Sequence, residues 1–398
     1  MTITQDPVVD GADAGERSWN ADVLAELVPA LAQRAEGADA TGEFVAEQIQ
    51  MLRDRRMMSM LVPTELGGGG ASHADACAAL RVLAHGCPAT SLTFAMHTHL
   101  VAAQVWRHHH GLPAPVLPKV AASELVLVST GAKDWMESSG TAVAVDGGYR
   151  VSATKAPSSG APAGDVLITS VRWDPEGGDT APDGTSPDGT APEGPQVLHL
   201  AVPFSSPGVR VEPTWDSVGM RATGSDTVVL EDVFVPGAAV SLVRPAGAWH
   251  PVWSVVLGAA MPLIMSTYVG VAESAVDRAM LLVAPGDTRP TTATTVARML
   301  RSLRVARDTV DAMVAASADL RFDNDLSAAT ATLERKVIAA DACIETVRLA
   351  LEVGGAAYSS AGGLGRLFRD VLGATYHPLP VAAQEQFCGR VALGLDPF

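Results

Sequence analysis

From Asn20 to about Val120 the apolar residues recur at helical spacing. From Ser123 they alternate as in strands, and from Val252 they return to helical spacing in much longer runs. That order constrains the fold more than any other feature. A chain that changes period twice builds segregated helical and strand layers, not a doubly wound sheet. In the first block, Asp22 to Ala35, Phe44 to Met60, Ser72 to Ala84 and Ala89 to His109 each read as a helix. Strands are predicted around Leu125, Ala142, Tyr149, Val166, Val197, Val209 and Thr227, with a tight turn at Gly147-Gly148. Three long helices follow over Val252 to Val283, Thr294 to Ala318 and Leu326 to Val353, and a last one runs from Leu379 to Leu393. The expected divisions are 1–122, 123–240 and 241–398. An insertion over 174–195, made of Asp, Gly, Thr, Pro and Ala, has no residues from which to build a core.

Of the 398 residues, 47% are hydrophobic and only 18% are charged, the balance of a globular enzyme. The net charge of -16, with no basic cluster, argues against nucleic acid or an anionic membrane surface as partner. The four cysteines form no CxxC pair, so neither a metal site nor a disulfide framework is expected, and the chain is assigned to the cytoplasm. Ser254 to Ala272 is apolar and about long enough to span a bilayer. It carries Gly258, Pro262 and Gly270 and runs into Glu273, Asp277 and Arg278, so it reads as the central helix of a soluble bundle.

Three motifs bear on function. Leu61-Val62-Pro63 is followed by Glu65-Leu66-Gly67-Gly68. Trp215 to Ser225 reads WDSVGMRATGS and leads into Glu231-Asp232-Val233-Phe234-Val235-Pro236. Gly354-Gly355 precedes Arg369-Asp370. Together they resemble the acyl-CoA dehydrogenase superfamily over essentially the whole chain. The resemblance implies an α+β fold with an N-terminal helical domain, a middle β-barrel and a C-terminal four-helix bundle. It also implies a flavin between barrel and bundle, with Gly354 and Gly355 among its contacts, and a homodimer or homotetramer.

The departures from that family are as informative. Its dehydrogenases carry a catalytic glutamate between the Gly-Gly pair and Arg-Asp, where this chain has Ala361 and no carboxylate. Relatives with the base on the first bundle helix would place it near Ala260, which is also uncharged. General-base removal of an α-proton therefore lacks its acid–base group. Where dehydrogenases place Trp-Ile-Thr beside the flavin, this chain has Pro157-Ser158-Ser159-Gly160, which resembles the superfamily's flavin-dependent monooxygenases. In those, reduced flavin captures molecular oxygen as a C4a-hydroperoxide, and a small hydroxyl such as Ser158 or Ser159 leaves room for it and can donate a hydrogen bond. The plainer reading is that both serines cap a turn.

Arg289 is present where dehydrogenases hold the FAD pyrophosphate, but the accompanying Phe-Gly is not, which favours FMN over FAD. Ser129 and Thr130 fall where the family's first barrel loop touches the ring. His377 falls where the C-terminal framework approaches it, and histidine suits proton handling near neutrality. His97 and His99, two apart on one helix, cannot both face the pocket. The implied activity is a two-component monooxygenase that oxidises carbon, nitrogen or sulfur of a small organic substrate, with a separate flavin reductase. The alternatives are an acyl-CoA dehydrogenase with a relocated base, Glu137 or Glu273, and a catalytically silent member.

Overall fold

The computed structural model describes residues 21–130, 134–175, 194–355 and 363–397. The N-terminal layer contains α1 (Ala21–Thr41), α2 (Ala46–Asp54), α3 (His73–Gly86), α4 (Pro88–His109) and α5 (Val116–Ser123). Local chemistry sets two of these starts. Ser72 accepts from the Asp75 amide while the Asp75 carboxylate accepts from the Ser72 amide, a reciprocal cap on α3. Pro88 opens α4, where its missing N–H has no partner to lose. Between α2 and α3 the Val-Pro and Gly-Gly elements form a tight turn in which Gly68 lies against Val62. A Cβ there would sit 2.3 Å from the Val62 carbonyl oxygen.

The middle block comprises β1 (Leu127–Ser129), β2 (Thr141–Val145), β3 (Gly148–Ser158), β4 (Val166–Trp173), β5 (Gln196–Pro203), β6 (Val209–Glu212), β7 (Asp226–Pro236) and β8 (Val240–Pro245). These form one continuous eight-stranded sheet in the order β6-β7-β3-β2-β4-β5-β8, with β1 added parallel to β4. The β2–β3 turn is Asp146-Gly147, one residue earlier than the glycine pair suggested, because Val145 pairs with Gly148 and Gly147 takes the left-handed φ of +74°. Most of the low-complexity insertion lies outside the described residues.

The C-terminal layer has three long helices, α6 (Val252–Leu282), α7 (Pro290–Ala316) and α8 (Leu326–Val353). The shorter α9 (Leu364–Val371) and α10 (Val381–Ala392) both pack on α8 and complete the expected bundle. Among the described residues α6 is the one helix long and apolar enough to cross a membrane, yet 89% of its most apolar window is buried within the chain. It packs against α3, α4, α7 and α8, and a helix apolar all round is the core element of such a layer. Gly270 admits close packing against α3. A Cβ there would lie 2.2 Å from the Arg81 carbonyl oxygen.

Candidate functional site

A cavity of about 490 Å³ opens where the sheet meets α4, the first half of α6 and the segment after α9. Leu92, Met96, Met261 and Ile264 give it an apolar side, while Ser129, Thr130 and Ser159 give it a polar one. Trp215 to Met220 form its rim. That rim is held from both ends. Asp226 Oδ1 accepts from the backbone N–H groups of Thr214 and Trp215 at 2.9 and 3.0 Å, and the Trp215 indole donates to the Met220 carbonyl at 3.2 Å. Met220 adopts a left-handed φ of +53°, and its N–H donates to Asp370 Oδ1 at 2.6 Å. Burial pushes the Asp370 carboxyl up to about 6, against the opposing pull of that hydrogen bond. Arg221 reaches the carbonyls of Asp39 and Ser217, and Arg369 pairs with Asp39, so both arginines brace the loop.

Ser159 lines the cavity and Ser158 does not. Neighbours at the end of β3 face opposite ways, and the buried Ser158 hydroxyl donates back to the Lys155 carbonyl at 3.2 Å. Ser158 is thus corrected from a cofactor contact to a turn-forming residue. Ser159 Oγ lies 2.8 Å from Ser225 Oγ, which lies 2.7 Å from Thr223 Oγ1, which donates to the Met220 carbonyl at 3.0 Å. Each hydroxyl has one proton, so the terminal carbonyl sets the direction of the whole chain. Thr223 donates to Met220, Ser225 to Thr223 and Ser159 to Ser225. In this geometry Ser159 presents lone pairs to the cavity. It is an acceptor there, not the donor the sequence suggested.

Ser129 and Thr130 both line the cavity, and Thr130 Oγ1 shares a 2.5 Å hydrogen bond with Thr169 Oγ1 on β4. Gly354 and Gly355 end α8 outside the cavity. Gly354 packs against Leu282 and Leu364, where a Cβ would meet side chains at 3.0 and 3.2 Å.

The histidines separate cleanly. His97 does not line the cavity. Its Nδ1 accepts from the Leu127 N–H at 3.0 Å, which leaves Nε2 to donate to the Met58 carbonyl at 2.9 Å. With both nitrogens engaged by backbone it ties α4 to β1, and the catalytic assignment from sequence is corrected to a structural one. His99 is the pocket residue. It lines the cavity, its Nδ1 lies 3.3 Å from the Ala95 carbonyl, and burial pushes its pKa down to about 4. His377 also lines the cavity, with Nε2 2.7 Å from the hydroxyl of Tyr268 on α6, and burial pushes its pKa down to about 3.

Trp253 and Arg244 escaped sequence reasoning. Trp135 and Trp253 line the cavity and stack with ring centroids 4.6 Å apart, and Arg244 lies 5.2 Å over the Trp253 ring. Nothing in the spacing of residues 135, 244 and 253 announces that meeting, which the β8–α6 crossover creates.

Residues 20–124 match the family model for the acyl-CoA dehydrogenase N-terminal domain. L-evernosamine nitrososynthase from a Micromonospora species is 28% identical, with 94% of this chain and 90% of that protein aligned. Isobutylamine N-hydroxylase from Streptomyces viridifaciens is 27% identical over 64% of this chain and 65% of its own length. Among solved structures, KijD3 in complex with FMN and dTDP-3-amino-2,3,6-trideoxy-4-keto-3-methyl-D-glucose superposes with a TM-score of 0.81 at 27% identity, covering 94% of this chain and 93% of that one. The chain has the acyl-CoA dehydrogenase-like fold.

For a chain with that fold the cavity is short of acid. Ala260 lines it and carries no charge, and Ala361 lies outside the described residues. Neither spare acid reaches it. Glu137 is an exposed partner of Arg172 at 2.8 Å. Glu273 lies beyond the cavity between α3, α6 and α7, held by Arg81 at 2.5 Å and Arg307 at 2.7 Å. Asp216 is the one acid among the described lining residues. It stands on the rim with its side chain 92% exposed, 3.5 Å from Arg221. Arg289 pairs with Asp287 at 2.7 Å away from the cavity.

Burial raises the Glu273 pKa, but hydrogen bonds from His85 and Arg81 and the charges of Arg81 and Arg307 outweigh it and hold the carboxyl at about 2. A folded pKa below the unfolded value of about 4.3 contributes stability above that value. The contribution is lost as pH falls from there towards 2. Glu273→Gln is therefore expected to flatten the acid limb of the stability curve in that window, measured by urea unfolding against pH. An unchanged slope would remove Glu273 from this role.

Proposed function

We propose that this chain is the oxygenase component of a two-component flavin monooxygenase, and that it oxidises the amine nitrogen of a small organic substrate. The carrying observation is the composition of the cavity. It is enclosed by neutral imidazoles, hydroxyls and apolar side chains, with Arg369 as a cation paired to Asp39, and among the described residues its one acid stands on the exposed rim. Such a site disfavours an ammonium ion and favours the free amine, whose lone pair is the nucleophile. Two relatives that align over 94% of the chain are named L-evernosamine nitrososynthase and amino sugar nitrososynthase.

The residues present fit a flavin. The volume lies within the range of cofactor sites, roughly 300–1,000 Å³. Ser159 offers lone pairs to a ring N–H. Trp253, which lines the cavity, carries a buried indole N–H with no partner among the described residues, and an acceptor on a bound molecule would satisfy it. Bound reduced FMN would supply the electrons that activate molecular oxygen. The chain's own residues orient the substrate and exclude water. Leu92, Met96, Met261 and Ile264 supply the dry face, and His99 and His377 supply uncharged polar contacts.

Electrons then have to come from a separate reductase. Gly354 and Gly355 lie outside their own chain's cavity, so a flavin contact from them requires a second copy, in a homodimer or homotetramer. The buried setting of α6 and the four unpaired cysteines suit a cytoplasmic enzyme.

The test supplies reduced FMN from an unrelated flavin reductase with NADH, under isotopically heavy oxygen, and presents a panel of amino-sugar nucleotides and simple primary amines. Mass spectrometry is expected to find heavy oxygen on nitrogen in one class. Bleaching of the bound flavin by acyl-CoA thioesters, with no oxygenated amine, would overturn the proposal.

A further inference from the structure

Tyr268 is fully buried in α6, and the Nε2 atom of His377 is 2.7 Å from its hydroxyl. A buried phenol needs an acceptor for its proton, and leaving it unpaired would be costly. Among the described residues His377 Nε2 is the one hydrogen-bonding partner recorded for that hydroxyl. The phenol therefore donates, Nε2 accepts, and the imidazole carries its own proton on Nδ1. That nitrogen has no partner among the described residues, and its ring lines the cavity.

The backbone that carries His377 is fastened separately. Lys336 of α8 is fully buried, and its Nζ donates to the carbonyls of Thr375 and Leu379 at 3.3 and 3.5 Å, one on each side of His377. The same ammonium opposes any positive charge on the ring. The groups facing His377 are Tyr268 from α6, Lys336 from α8 and His99 from α4, and none is acidic. Burial first, then Lys336 and His99, keep the imidazole neutral.

We infer that Tyr268 is a positioning residue that fixes His377 in the Nδ1–H tautomer, so that this imidazole meets the cavity as a neutral hydrogen-bond donor and not as a proton-transferring acid. The role complements Ser159, which meets the same cavity as an acceptor. Passing the Nδ1 proton onward would require Nε2 to take the proton of Tyr268. Burial, first among the causes, holds that phenol well above its ordinary pKa, so the relay stops at a hydrogen bond. The kinetic consequence rests on the proposed monooxygenase reading, whereas the tautomer itself does not.

Two measurements separate those dependencies. Protein labelled with nitrogen-15 at histidine reports the tautomer whether or not any turnover occurs. Wild type is expected to show a pyrrole-type Nδ1 and a pyridine-type Nε2 for His377, assigned by its loss in His377→Asn, and Tyr268→Phe is expected to show a mixture. The opposite tautomer in wild type would overturn the inference and leave the monooxygenase reading intact.

The second measurement is a double-mutant cycle on kcat and KM for product formation. Tyr268→Phe is expected to lower kcat about tenfold with KM unchanged, the worth of one oriented hydrogen bond. His377→Asn keeps an N–H near the Nδ1 position and has no tautomer to fix. In that background Tyr268→Phe is expected to cost less than about twofold. Additive losses, with unfolding midpoints unchanged, would make Tyr268 a packing residue and overturn the inference. If wild type shows the expected tautomer but no amine oxidation, the proposed function fails and the assignment of Tyr268 stands.

Discussion

Asp134→Ala is expected to destabilise the folded chain by about 3–5 kcal/mol, the cost of leaving a buried charge without its partner. Asp134 and Lys155 form an ion pair in which the side chains are 5% and 2% exposed. Lys155 stands in the middle of β3, and its ammonium also donates to the Ser139 carbonyl at 2.7 Å and the Ser139 hydroxyl at 2.9 Å. Burial already depresses the Lys155 pKa, with Asp134 pulling the other way. Without Asp134 that opposing pull vanishes and the pKa falls further. Below the unfolded value of about 10.4, the unfolded chain then binds a proton that the folded chain resists. The variant's stability should therefore rise with pH, and its deficit relative to wild type should shrink as pH rises towards the unfolded value. Denaturant unfolding against pH measures it, and a deficit that does not vary with pH would contradict the account. The loss reaches the cavity as well. Arg244 holds the Asp134 and Met136 carbonyls at 3.3 and 2.9 Å, on either side of Trp135.

Gly219→Ala should cost about 3 kcal/mol, the upper end for forcing an added carbon into packed structure. A Cβ at this position would lie 2.0 Å from the Arg369 carbonyl oxygen and 2.7 Å from the Asp370 amide nitrogen. Both are backbone atoms, so no rotamer change relieves the clash. The rim must lift away from α9, breaking the 2.6 Å hydrogen bond between the Met220 amide and Asp370. Thermal unfolding and FMN titration should both register the change. A wild-type melting temperature with unaltered FMN affinity would show that the rim and the C-terminal framework are not coupled through Gly219.

Those two sites differ in how far the sequence disclosed them. Gly219 sits inside WDSVGMRATGS, a run recognisable by itself, and its partner Arg369-Asp370 was also visible as a motif. Their contact was not, because a string shows no clash between positions 150 apart. Asp134 and Lys155 carried no signal of pairing. A charged residue within a strand pattern reads as exposed, and only the turn before β2 buries both ends. His97 and His99 show the same limit. Helical spacing established that at most one of the two faces the pocket, while the packing of β1 on α4 decided that it is His99. The strand β8 and the helices α5 and α9 also escaped, being short and weakly periodic.

The sequence by itself determined the succession of helical, strand and helical blocks, the resemblance carried by three motifs, and the lack of a carboxylate at Ala260 and Ala361. Periodicity and residue type are local properties, and each can be read without knowing what lies across the core. The tertiary structure alone decided that Ser159 accepts while the imidazole of His377 is poised to donate, and that Trp253 stacks on Trp135. A hydroxyl or an imidazole can play either part, and its direction is fixed by the partner that folding brings to its other side.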